Sequence, residues 1–89
     1  MKKLHIDAAK IRTAAAFYAE LDKCVRLPAH FGHNLDALFD FLTTELAGGL
    51  EVHWQNFAAY TAEEKKLMNG IRQVIKDAEA ERPEIRLVL

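Results

Sequence analysis

The chain has 89 residues, 51% hydrophobic and 28% charged, which is ordinary globular composition with room for one modest core. A formal net charge of −1 excludes a global bias toward nucleic acid or an anionic membrane surface, and no apolar run nears the ~20 residues of a membrane span. The one cysteine, Cys24, excludes an internal disulfide and fits a reducing cytoplasm.

The elements follow in chain order. The opening MKKLHID carries two lysines with no apolar stretch behind them, so no secretory signal is expected. Lys2 to Ile6 alternates, with Leu4 and Ile6 on one face, and reads as a strand. Thr13 is a good N-cap for a helix whose apolar face is Phe17, Leu21, Cys24 and Val25 and which must end by Pro28. On that face Cys24 reads as a buried thiol. Asn34 caps a second helix, with Leu35, Leu38, Phe39, Leu42 and Leu46 at helical spacing, until Gly48-Gly49 breaks it. Leu50 to Trp54 alternates again, a second strand. His5 and His53 alternate with the strand apolars and are expected to face solvent. Asn56 to Tyr60 fits one short helical turn. Thr61 and Glu64 match a capping box. The long helix behind it carries Leu67, Ile71, Val74, Ile75 and Ala78, with Asn69-Gly70 as a point where it can break. Pro83 ends it, and Ile85 to Leu89 reads as a largely buried third strand.

No repeat, linker or low-complexity tract interrupts this order, so residues 1–89 are read as one domain. Strands separated by helices favour parallel pairing with right-handed crossovers. The expected fold is a small α/β domain, three parallel strands packed against three to four helices.

Charge is distributed unevenly along the chain. Between Arg26 and Lys65 there is no lysine or arginine, while Asp36, Asp40, Glu45, Glu51, Glu63 and Glu64 fall in that span. The middle third is therefore expected to form an acidic surface. At 100° per residue Asp36 and Asp40 lie about 40° apart, on an exposed strip bordered by Phe39 and Thr43. The macrodipole favours Asp36 near the helix start, but Asp40 is too deep for much of that help. A like-charge i,i+4 pair costs ~0.2–0.5 kcal/mol, and no basic neighbour relieves it. Such a strip is either a solvated face or a face kept acidic for a basic partner; the missing cations favour the second.

Other chemistry is poorly served. Two carboxylates can run acid–base hydrolysis, but here both stand on an exposed helix face with no apolar pocket to raise one pKa. His30, His33 and Asp36 recur every third residue, yet no zincin pattern or cysteine cluster accompanies them. There is no glycine-rich phosphate loop. Nucleic acid is disfavoured because the featured surface is acidic. No cofactor is expected.

The segment Leu27 to Thr43, LPAHFGHNLDALFDFLT, then becomes informative. With VHWQNF at 52–57, QVIKDAEA at 73–80 and IRLVL at 85–89, it resembles the barstar family, intracellular inhibitors of a secreted bacterial ribonuclease. The resemblance covers essentially the whole chain, and its core, Gly-x-Asn-Leu-Asp-Ala-Leu-x-Asp from Gly32 to Asp40, is specific. In the family, this helix and the loop before it plug the ribonuclease active site. The resemblance implies that Asp40 stands in for substrate phosphate and that Asp36 makes a second charged contact. It implies loop contacts at His30, Phe31, Gly32 and Asn34, rim positions at Phe39 and Thr43, and an outlying contact at Asp77 beside Val74.

Some positions depart from the family pattern. Phe39 replaces a tryptophan and loses an indole donor. His30 replaces an aromatic and can titrate near neutral pH. Glu45 replaces another tryptophan, and Gly49 a proline. The sequence therefore leads to a cytoplasmic, non-catalytic inhibitor, monomeric when free, that forms a 1:1 complex with a basic secreted ribonuclease. The alternative is a barstar-like interaction module for a basic partner that is not a ribonuclease.

Overall fold

The computed structural model describes residues 1–89. In chain order it contains β1 (Lys2–Asp7), α1 (Ala14–Val25), α2 (Leu35–Asp40), a π-helical turn (Phe41–Glu45), β2 (Leu50–Gln55), a 3-10 turn (Phe57–Ala59), α3 (Ala62–Glu81) and β3 (Ile85–Val88). The strands form one parallel sheet in the order β1-β2-β3. This is the expected α/β architecture.

Both connections step across the sheet in the same direction. Crossovers of the usual right hand then place every helix on the same side. Burial follows that layout: Leu4, Ile6, Leu50, Val52, Trp54 and Ile85 face the helices and are buried. The other face holds Lys3, His5, Glu51, His53 and Arg86, all exposed or half-buried. Parallel sheets are usually covered on both faces; this one has a polar outer face instead. Across it His5 and His53 are register partners, and their rings stack 5.1 Å apart. A hydrogen bond from His53 holds the Glu51 carboxyl below its ordinary range, helped by Lys3 and Arg86 and opposed by partial desolvation.

Local chemistry explains the helix starts. Thr13 Oγ1 accepts from Ala16 N at 3.1 Å, Asn34 Oδ1 from Ala37 N at 2.7 Å, and Thr61 Oγ1 from Glu64 N at 3.2 Å. Glu64 completes the capping box by accepting from Thr61 N at 2.9 Å. Helix α1 stops as Arg26 turns left-handed (φ 57°), and Asp22 takes Leu27 N on its carboxylate at 2.7 Å.

Four expectations need correction. The second helix does not run evenly to Leu46: after Asp40 it widens into the π turn, closed by Leu46 N donating to Phe41 O at 2.8 Å. Phe41 is buried, while Leu35, in the first turn of α2, is 41% exposed. Helix α3 runs without a break through Asn69-Gly70, and its inward face begins with Met68, leaving Leu67 outside. Strand β3 is an edge strand with only Ile85 fully buried; Val88 and Leu89 are exposed. Cys24 is half-buried, with Sγ 3.6 Å from Lys3 O.

The core is entirely uncharged. Each fully buried aliphatic side chain in it, such as Leu38, Leu42 or Ile71, contributes roughly 1.5–3 kcal/mol of apolar burial. One polar chain runs through it: Trp54 Nε1 donates to Tyr60 Oη at 3.1 Å, and Tyr60 Oη donates to Ile11 O at 2.7 Å.

Candidate protein-binding face

The acidic helix sits where the loop from residue 27 to Asn34 joins α2. Phe31 anchors that loop. It is buried against Tyr18, His33 and Phe41 at ring distances of 5.4, 5.2 and 6.2 Å. Its side chain therefore supports the loop from below. His33 adopts a left-handed backbone (φ 51°) and lies within hydrogen-bond distance of Phe31 O, Nδ1 to O 3.1 Å. Asn34 divides its amide, with Oδ1 capping α2 and Nδ2 donating to Gly32 O at 3.3 Å. A methyl group at Gly32 would stand 3.0 Å from that Nδ2, so the glycine lets the loop close tightly onto the cap.

From this start, α2 presents Leu35, Asp36, Ala37, Phe39 and Asp40 to a shallow groove whose other wall is Val74 and Asp77 of α3. Leu35, 41% exposed, reaches toward α3, its Cδ1 3.4 Å from where a side chain on Gly70 would begin. Five of the sequence-nominated residues, Asp36, Phe39, Asp40, Val74 and Asp77, thus meet in one place. Asp36 and Asp40 receive no hydrogen bond and no ion pair on their carboxylates from any other side chain. Asp77 accepts from Gln73 Nε2 at 3.0 Å, a neutral donor one turn away.

Among the remaining acids of the middle third, Glu63 is exposed and unpaired at the start of α3, but the other three have partners. Glu64 pairs with Arg12 at 2.9 Å, Glu51 with His53 at 2.9 Å, and Glu45 approaches His30 at 3.4 Å. The acidic surface is therefore narrower than the charge pattern suggested, and apart from Glu63 its unpaired carboxylates gather in the groove. Glu45 and His30, both exposed, mark the far end of the π turn. Thr43 is half-buried, and its Oγ1 donates to Phe39 O at 2.8 Å. Thr44 Oγ1 donates to Asp40 O at 2.7 Å. These hydroxyls supply carbonyls along the turn where the α-helical ladder changes to i→i−5 bonding. Arg82, at the end of α3, donates to Leu42 O, Leu46 O and Gly48 O at 2.9, 2.9 and 3.0 Å, satisfying the C-terminal end of the same turn.

Leu35 and Ala37 are groove residues that sequence reasoning placed elsewhere or passed over. The signal was available: Leu38, Phe41 and Leu42 at i, i+3, i+4 form an apolar stripe that does not need Leu35. No three His, Cys, Asp or Glu side chains are gathered to hold a metal ion, and His30 and His33 point to different neighbours. No helix is long and apolar enough to cross a membrane.

The fold and groove define a class: a small two-layer α/β protein with unpaired carboxylates on an exposed helix and no buried charge. Comparison with protein families makes the assignment specific. The family model described as Barstar (barnase inhibitor) matches residues 1–89, and the chain belongs to that family.

Proposed function

We propose that this protein inhibits a basic ribonuclease of the barnase type by seating α2 and the loop before it in the enzyme's active site. The observation that carries this reading is the groove itself: Asp36 and Asp40 stand exposed on one helix with no cation of their own. Cationic groups that hold RNA phosphate in such an enzyme would meet carboxylates already placed on the helix, beside the apolar side chains of Phe39, Leu35 and Val74. Asp40 takes the central charged contact and Asp36 the second. Asp77 reaches the partner from α3. His30, Gly32 and Asn34 contact it from the loop, and Thr43 and Glu45 from the π turn. The protein needs no cofactor, carries out no chemistry, and acts in the cytoplasm as a monomer forming a 1:1 complex.

The test is inhibition of a small guanyl-preferring bacterial ribonuclease, titrated with this protein at low and high salt. Stoichiometric inhibition that weakens as salt rises supports both the activity and the acidic face as its agent. Absence of inhibition at micromolar protein counts against this reading and favours a basic partner that is not a ribonuclease, to be sought by pull-down.

A further inference from the structure

His30 and Glu45 come from opposite ends of the binding segment and approach each other, Nε2 to Oε1, at 3.4 Å. Their side chains are 76% and 41% exposed, so the contact contributes little to stability. Both lie on the elements that the functional reading above assigns to the partner. We infer that His30 is a proton-operated gate on Glu45: neutral His30 leaves the carboxylate to a cation of the partner, and protonated His30 keeps it. This rests on that reading and adds to it a pH-dependent specificity element.

The charged and titratable surroundings set the direction. Glu45, on the π turn, is the one acidic group within ion-pair distance of His30. On its own loop, His33 is turned against Tyr18 and Phe31. From α1, Asp22 is occupied by Leu27 N. Asp36 and Asp40 of α2 and Asp77 of α3 supply the remaining negative charge of the face, and no lysine or arginine pairs with any of them. When a cationic partner docks, it cancels those carboxylates and adds positive charge nearby. Both changes disfavour a proton on the imidazole. The complex therefore binds fewer protons at this position than the separated proteins do, and affinity rises with pH through the range where histidine titrates. A partner suited to this end of the face presents a lysine or arginine to Glu45, where an apolar side chain would leave the carboxylate desolvated and unpaired.

The experiment measures the dissociation constant against a barnase-type ribonuclease from pH 8 to 5.5 for the wild-type protein, His30→Gln and Glu45→Gln. Glutamine at position 30 keeps a donor for Glu45 but does not titrate. Acidification is expected to weaken the wild type about tenfold more than His30→Gln, as for one linked proton. Glu45→Gln is expected to show a smaller excess than the wild type. Parallel curves for wild type and His30→Gln overturn the gate while leaving the inhibitor reading intact. A Glu45→Gln curve that matches the wild type overturns the role of Glu45. Absence of wild-type binding at pH 8 overturns the inhibitor reading, and the gate with it.

Discussion

Arg82 donates to the carbonyl oxygen of Leu42 at 2.9 Å, tying the last turn of α3 to the segment that carries Asp36 and Asp40. The same guanidinium also holds Leu46 O and Gly48 O, and lies 3.6 Å from Glu84. It acts as a cationic C-cap brought in from a distant element. Arg82→Met should remove those bonds and leave the carbonyls short of donors. A loss of about 2–3 kcal/mol is expected in urea unfolding, given the usual worth of hydrogen bonds from charged donors. A loss below about 0.5 kcal/mol would mean that water replaces the guanidinium without penalty.

Asp40 is expected to separate binding from stability. Its carboxylate has no internal partner, so Asp40→Ala removes only like-charge repulsion with Asp36 and places a better helix former mid-helix. Thermal unfolding of the free protein should be unchanged or slightly raised. Affinity for the ribonuclease should fall by about 2–5 kcal/mol, the general range for a desolvated charge pair, to which barnase–barstar pairs themselves contribute, mostly through faster dissociation. A binding loss under about 1 kcal/mol would move Asp40 to the rim.

Phe31 and His30 are neighbours with opposite expected behaviour. Phe31 is 7% exposed beneath the loop, and Phe31→Ala should cost about 3 kcal/mol or more in chemical denaturation by leaving a cavity beside Tyr18 and Phe41. His30→Ala should leave the denaturation midpoint unchanged, because the ring is mostly in solvent. Equal effects on stability would contradict this division between a supporting and a presented aromatic.

Acid should loosen the start of α3. The Thr61 backbone N–H holds the Glu64 carboxyl below its ordinary value of 4.5, assisted by Arg12 and opposed by partial desolvation. Its pKa is lower folded than unfolded, so the unfolded state binds the proton first. This contribution is therefore complete above the ordinary value and is lost as pH falls through the lower, folded value. Unfolding free energies from pH 6 to 3 should fall less steeply for Glu64→Gln than for the wild type. Identical slopes would place the acid sensitivity in other carboxylates, Asp7 and Glu51 being the next to examine, since both are also held low.

Much of this molecule is legible along the chain. Thr13, Asn34 and the Thr61–Glu64 box are found by reading because each satisfies backbone groups only three residues away. Alternation in β1 and β2, with helices between the strands, was enough for a parallel α/β sheet. The Gly32-to-Asp40 motif points to the family on its own. Periodicity failed where the helix stops being regular. A constant 100° step runs the helix evenly to Leu46 because it cannot register the wider turn at Phe41–Glu45, and it does not separate Leu35 from the stripe that Leu38, Phe41 and Leu42 complete.

The sequence by itself determined the strand and helix order, the N-caps and the pair of acids on one helix, because these depend on contacts between near neighbours. Only the tertiary structure decided which acids stay unpaired. Glu64 is neutralised by Arg12 from across the fold, Asp77 joins Asp36 and Asp40 because α3 packs beside α2, and Arg82 closes the π turn from the far end of α3. Likewise the buried place of Phe31 and the meeting of His30 with Glu45 depend on how the loop folds onto the rest of the protein. Charge along a chain shows what is available to a surface. Packing between distant elements decides what remains there for a partner, since an ion pair needs both groups within a few ångströms in space.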